Sequence, residues 1–491
     1  MIQASAVQHG MRLAASGAAP TAYHMPLVVT FAHEPDAGLL AKSCAAVVER
    51  HALLAVSVVE RDGVTHLARS TAPVLRVAGP DESVEEEATR PFDLGEGPLV
   101  RFALFGRTLV VTAHHLVVDG LSKEVLLRDL AAFYAGEIPA PLPRTAEDEL
   151  AAEAARLDAG RAAAEEFWSG RWAEPLPVVV GEHVLTGRDH RAGQVHAFEP
   201  PVPDLPGLTR FETLLAAVHA LLGGYGNPRV TTGVDVSTRE PGAFDTVGPF
   251  ATEFPVDTRP GADSPFAEFA AGVRATLRAM YPHRSVPLAR AVRRLQPHAA
   301  IAPVSVSYRR VGAAPRFDGA PAAVDWLAFA GSVRGDLQLQ AVDDGTTVTA
   351  RLRHPAAAAP VAARFAGDLC AVLTRVAADP GTLLRDLSPA AASGASGASG
   401  TSVPPAAAGA PATAPAPAGG ELVEPVLAIW RDVLGDPAIG PDDDLFDLGG
   451  DSLTATQIIA RMRKTLGVDV DIDTFFDHPT VNGVLDAVSA S

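Results

Sequence analysis

The clearest helical period lies near the C-terminal end of the chain. In ELVEPVLAIWRDVLG, residues 421–435, Val426, Trp430, Val433 and Leu434 recur at three- and four-residue spacings on one helical stripe, and Gly435 is placed to end it. DSLTATQIIARMRKTLG repeats the pattern with Ala455, Ile458, Ile459, Met462 and Leu466 and stops at Gly467. Pro479 stands at the first turn of a third helix, PTVNGVLDAV. These periods predict a small, compact helical bundle. Far upstream, RTLVVTAHHLVVDG reads differently: its β-branched run, residues 109–112, predicts a strand with a turn behind it.

A segment without either period separates the bundle from the rest. Residues 388–420, SPAAASGASGASGTSVPPAAAGAPATAPAPAGG, carry no charge and almost no large apolar side chain, so burial cannot offset the entropy of ordering them. A flexible linker is expected there, spanning roughly 30 Å as a coil. Beyond it, 14 acidic and 4 basic side chains give residues 421–491 a charge of -10, more than half of the chain's -18. That acidity argues against a nucleic-acid partner. Cys44 and Cys370 are the only cysteines, too few for a disulfide framework and without metal-ligand spacing, which fits a reducing cytoplasm. The N-terminus lacks a signal-peptide pattern and no uninterrupted apolar run is long enough to span a bilayer, so neither export nor a membrane partner is expected. No phosphate-binding GxxxxGK[ST], Rossmann fingerprint or metal cluster is present, and a length of 491 residues suggests about three units of domain size.

Two short stretches carry candidate chemistry. In DDDLFDLGGDSLTA, Gly449 and Gly450 allow a tight turn, and Asp451 and Ser452 then fall at a helix start, where a hydroxyl stands beside unpaired backbone N–H groups. A phosphate ester on Ser452 is stabilised in that position, although an Asp-Ser pair also serves simply to cap a helix. In HHLVVDG, His114 and His115 follow the strand and must point to opposite sides of it, so only one faces a given cavity. An imidazole titrating near neutrality suits proton transfer or hydrogen bonding to an attacking amine; the plainer reading is a satisfied core histidine. Asp119 and Gly120 occupy the turn that leaves the strand. Arg290, Arg293 and Arg294 lie at helical spacing and fit either a docking patch for an acidic carrier or a solvated face.

Taken whole, LFDLGGDSL followed by TFFDHPTV resembles the peptidyl carrier proteins of nonribosomal peptide synthetases over nearly all of residues 421–491. The resemblance implies that Ser452 receives a 4′-phosphopantetheine arm, with Asp451 beside it, on a small all-α four-helix bundle. HHLVVDG matches the HHxxxDG motif of the condensation-domain superfamily, which includes chloramphenicol acetyltransferase-like acyltransferases. SAVQHGMRL is similar to the first condensation motif and ERHALL to the second; DGLSKEVLLRDLAAFYAG continues the third as a helix. EEFWSGRW, VGPFATEFPVDTR and PVSVSYRR follow in family order, and the likeness covers residues 1–387. Departures occur at Ala52, Ala55 and Thr252, in the shortened HRSVP, and in the compact length, which implies a trimmed loop or crossover element.

The resemblance implies a two-lobed α/β fold, with lobes at about 1–172 and 173–387 and His115 midway along a tunnel between them. Donor thioester and acceptor amine would arrive on pantetheine arms from opposite faces, the acceptor on the chain's own carrier. His115 either orients and deprotonates the amine or stabilises the tetrahedral intermediate. His114 is expected to be structural, Asp119 to hold the loop with Arg50 as its ion-pair partner, and Gly120 to present its N–H to the oxyanion. The implied product is an amide, or an ester. Expected partners are an upstream donor carrier protein, a phosphopantetheinyl transferase and an adenylating enzyme acting in trans. Alternatives are an epimerising relative, a catalytically silent docking scaffold, and transfer to a free amine or alcohol with the fused carrier as donor.

Overall fold

The computed structural model describes residues 1–14, 19, 21–292, 295, 298–388, 422–446, 448, 450 and 452–489, except the side chains of residues 452, 453 and 473. Two compact units emerge, one of residues 1–292 with 297–388 and one that includes 422–489.

Among the described residues the first unit has two large sheets and several small ones. The N-terminal sheet has the order Ala323–Asp325, His24–Thr30, Thr108–His114, Val100–Phe105, Leu75–Val77. Its strand Thr108–His114 is buried along almost its whole length, as an unbroken apolar run in a covered sheet should be. Helices Ala37–Arg50 and Gly120–Tyr134 pack against each other over this sheet through Leu40, Cys44 and Val47 on one and Val125, Leu126 and Leu130 on the other. The second sheet has the order Gln194–Phe198, Val348–His354, Leu337–Asp343, Val304–Arg310, Val230–Ser237, Ala251–Thr258. Helices Arg210–Gly224, Phe266–Met280 and Ala359–Ala378 cover it.

A crossover element is present. Strand Ala323–Asp325, from the C-terminal half, pairs antiparallel with His24–Thr30 in the N-terminal sheet, so the two halves are interlocked rather than divided near residue 172. Buried Lys123 fastens this crossing by donating from Nζ to the carbonyls of Pro26 (2.8 Å) and Trp326 (3.2 Å). Among the described residues one helix, Ala356–Ala378, has the length and apolarity to cross a membrane; here Val361, Phe365, Leu369, Val372 and Val376 bury its apolar face in the core.

Among the described residues the second unit has four helices, Val423–Leu434, Ser452–Leu466, Ile472–Asp477 and Val481–Ser489. Val426, Trp430, Ala455, Ile458, Ile459 and Met462 form its core as the periodicity predicts, while Val433, Leu434 and Leu466 are partly buried at its margin. The short helix Ile472–Asp477 has no full amphipathic period of its own; it sends Phe475 to stack on Trp430 with ring centroids 5.6 Å apart. The last helix begins at Val481, two residues beyond Pro479.

Candidate active site

His114 ends its strand and His115 follows immediately, so the two rings diverge. His114 is buried among aromatic rings, with centroids 6.0 Å from Tyr23 and 6.1 Å from Phe92, and its Nδ1 accepts the N–H of Leu116 at 3.1 Å. Burial lowers its pKa to about 3, which fixes it as a neutral packing residue. His115 is anchored through its backbone N–H, which donates to the Tyr23 carbonyl at 2.8 Å, while its Nδ1 has no hydrogen-bond partner. The residue lies deep in the domain and is still partly accessible. Its pKa is held below the usual imidazole value by burial first and by the Arg334 charge second, against opposing pulls from Asp119 and Asp235. At neutral pH it is therefore an uncharged base.

Asp119 caps helix Gly120–Tyr134. Its Oδ1 accepts from the N–H of Ser122 (2.8 Å) and the Ser122 hydroxyl (2.7 Å). Its partner across the fold is Arg239, with Nη1 donating to Oδ2 at 2.5 Å and Nη2 to Oδ1 at 3.2 Å; the Phe250 N–H adds a bond at 3.1 Å. Arg50 is not the partner. Its Nε donates to Asp129 at 2.7 Å, because Arg50 terminates its helix beside the far end of Gly120–Tyr134, where Asp129 lies roughly 15 Å along the axis from the cap. Asp119 thus ties the histidine loop to the second half of the fold. Gly120 opens the helix with its carbonyl accepting from Arg309, and a Cβ there would sit 3.1 Å from Arg309 Nη1. A side chain there would have to displace the flexible end of Arg309 by a few tenths of an ångström.

Sequence reasoning misses Arg239 because its partner Asp119 lies 120 residues away, and Arg334 because it falls in none of the quoted motifs. Arg290 is half-buried, with its pKa lowered to about 10 by burial and by Arg161, so it is not an ordinary solvated-face residue; Arg293 and Arg294 lie outside the described residues.

In the carrier unit, Asp451, Gly449 and the Ser452 side chain lie outside what is described; the Ser452 backbone begins helix Ser452–Leu466. Just before it, the Gly450 N–H donates to the Leu445 carbonyl at 2.8 Å, and a Cβ on Gly450 would fall 2.6 Å from Leu445 Cγ, so that turn closes only with glycine. The preceding loop is pinned by the HPTV segment, with Leu445 N–H donating to Pro479 O at 2.8 Å and Asn482 Nδ2 to Asp442 at 2.6 Å. A tight glycine turn delivering a serine to a helix N-terminus fits the attachment of a phosphodiester-linked arm.

A family model described as a condensation domain matches residues 1–180, and one described as a phosphopantetheine attachment site matches residues 424–488. The probable nonribosomal peptide synthetase CymA of Salinispora arenicola is 30% identical over 317 residues; the match takes in 57% of this chain and 4% of that protein. Among solved structures, the starter condensation domain of rhizomide synthetase superposes with a TM-score of 0.68 at 16% identity, covering 78% of this chain and 96% of that one. The X-domain solved in complex with OxyB from teicoplanin biosynthesis gives 0.62 at 22% identity, covering 79% and 95%. The attachment-site match implies covalent 4′-phosphopantetheine as the cofactor. Residues 1–180 thus carry a condensation domain and residues 424–488 a phosphopantetheine attachment domain, in a chain that is similar to nonribosomal peptide synthetases but spans only a small fraction of their length.

Proposed function

We propose that the chain forms an amide bond between an acyl group delivered as a thioester by an upstream donor carrier and an acceptor amine brought by its own carrier domain. The observation that carries this reading is His115, which burial keeps neutral, which is partly accessible as a residue, and whose buried Nδ1 has no hydrogen-bond partner. In this mechanism His115 accepts a proton from the amine nitrogen as it adds to the thioester carbonyl, and returns it to the leaving sulfur. Asp119 and Arg239 act at a remove, holding the loop that aims the ring.

Attachment is assigned to Ser452, with Asp451 beside it at the helix start. When bound, the 4′-phosphopantetheine supplies a thiol on a long arm that carries the acceptor as a thioester. A phosphopantetheinyl transferase installs it, and a separate adenylating enzyme in the same cytoplasm charges it. The X-domain complex with OxyB warns that this fold also serves docking; the neutral, unsatisfied His115 favours catalysis here. The test is to incubate the aminoacyl-loaded holo-protein with a donor acyl-carrier thioester and follow intact masses. Transfer of the acyl group onto the acceptor is expected with wild type and lost with His115→Ala. No transfer by the wild type, with both carriers verified as loaded, refutes the reading.

A further inference from the structure

Arg334 follows strand Ser332–Val333, and that strand is fastened where it bears on the histidine loop. The Ser332 hydroxyl meets that of Thr21 at 2.5 Å, two residues before Tyr23, and Val333 pairs with Arg191. Tyr23 in turn receives the His115 N–H and has its ring centroid 6.5 Å from the His115 ring and 4.8 Å from that of His190. Arg334 therefore sits on a rigid segment beside the candidate base. Its side chain makes no ion pair or hydrogen bond among the described residues, and only its backbone N–H is engaged, by Gln338 Oε1 at 3.1 Å. Its nitrogens are not among the fully buried orphaned atoms, so they face accessible space although the residue lies deep in the domain. A guanidinium left without a carboxylate in such a place is expensive unless something else uses its donors.

The surroundings show what it can use them for. The strand that carries Arg334 is tied through Thr21 to the Tyr23 segment, whose ring lies beside those of His115 and His190, and the Arg334 charge acts on all three side chains and on Glu253. Burial opposes its own charge, but Glu253, Asp235 and Tyr23 outweigh that and keep it cationic. Glu253 does not neutralise it by contact: its Oε2 accepts the Ile301 N–H at 3.1 Å and its Oε1 is without a partner.

We propose that Arg334 donates its guanidinium N–H groups to the carbonyl oxygen of the donor thioester, which becomes anionic as the acceptor nitrogen adds. The inference rests on the reading of His115 given above. The N–C bond forms while the π pair of the carbonyl moves onto oxygen, where Arg334 holds it. On its return the C–S bond breaks, and the sulfur leaves with the proton that His115 took from nitrogen. One cation thus serves both partners: it stabilises the oxyanion and it disfavours a charged His115 beforehand.

The test compares full-length holo-protein carrying Arg334→Gln or Arg334→Lys with wild type in the same acyl-transfer assay, with melting curves to verify folding. Arg334→Gln is expected to lower kcat by about 10²- to 10³-fold with KM for the donor carrier unchanged. It also shifts the acid limb of the pH profile upward, since the charge that opposes His115 protonation is gone while Asp119 and Asp235 remain. Arg334→Lys restores part of the rate and moves the limb back. An unchanged kcat in the folded Gln variant overturns the proposal and leaves the Gly120 N–H as oxyanion donor. A rise in KM alone overturns it too, and assigns Arg334 to binding an anionic group of the substrate. Loss of kcat with an unmoved acid limb and no rescue by lysine makes Arg334 structural and also overturns the proposal. If the wild type forms no bond at all, the reading of His115 falls instead.

Discussion

Asp119 and Arg239 form a doubly hydrogen-bonded ion pair, with contacts of 2.5 and 3.2 Å and almost no solvent exposure, across 120 residues of sequence. Each charge is satisfied several times over, Asp119 by Ser122 and Phe250, Arg239 by Ser122 and the Thr246 carbonyl. Removing one partner leaves the other buried and uncompensated, which costs about 3–5 kcal/mol. Arg239→Met is expected to lower the denaturation midpoint sharply and to abolish transfer together with the fold. Replacing both residues, Asp119→Leu with Arg239→Met, should recover part of that stability without recovering turnover. A double variant with wild-type turnover would show that the pair does not position His115.

His115→Ala should cut transfer by about 10²- to 10⁴-fold, the usual contribution of a positioned acid–base group. Its carrier loading and melting point should stay near wild type, because the ring makes no side-chain hydrogen bond through Nδ1 that the fold would miss. His114→Ala has the opposite profile. The lost ring fills space beside Tyr23 and Phe92, so the expected effect is a lower melting point and poor solubility. Measuring loading, transfer and melting on both variants separates the two histidines.

Three of the four described carrier helices were legible because their core residues follow a local period; the short Ile472–Asp477, which has none, was not. The opposed directions of His114 and His115 followed from strand geometry alone. Long-range pairing was not legible. Arg50 and Arg239 were equally plausible partners for Asp119 from residue type, and only the packing of Ala37–Arg50 against Gly120–Tyr134 sends Arg50 to Asp129 instead. Strand Ala323–Asp325 is three residues long, too short to show a period, yet it joins the two halves.

Stability should fall steeply on mild acidification. His114 and His219 have pKa values of about 3, and His9, His24 and His190 of about 4, each lowered chiefly by burial from an ordinary 6.5. A depressed histidine favours the folded state fully above pH 6.5, where both states are neutral. Below that the unfolded chain binds protons that the fold cannot, so stability is lost progressively from pH 6.5 towards 4 at about 1.4 kcal/mol per pH unit for each such group. Urea midpoints measured from pH 8 to 4.5 should be flat at first and then decline. A flat profile down to pH 4.5 would refute neutral burial of these rings.

Ser452 should be the sole site of pantetheinylation, since a closed glycine turn and a helix start coincide there. A phosphopantetheinyl transferase with coenzyme A is expected to add one arm to wild type and none to Ser452→Ala. Gly450→Ala should also load poorly: its Cβ would collide with Leu445, so the turn must open and the serine moves from its place. Intact mass reads both, and a modified Ser452→Ala protein refutes the assignment.

Loading of the acceptor is expected to come from the separate adenylating enzyme proposed above. With 14 acidic and 4 basic side chains, residues 421–491 should meet basic docking faces, and raising salt should slow loading more than it slows transfer within the chain. The measurement is thioester formation on holo-protein given ATP and amino acids, with and without an added adenylating enzyme, at low and high ionic strength. Charging without the second enzyme refutes loading in trans. If a verified aminoacyl-carrier never yields product on Ser452 while a free amine does, the fused carrier is the donor station and the direction of transfer is reversed.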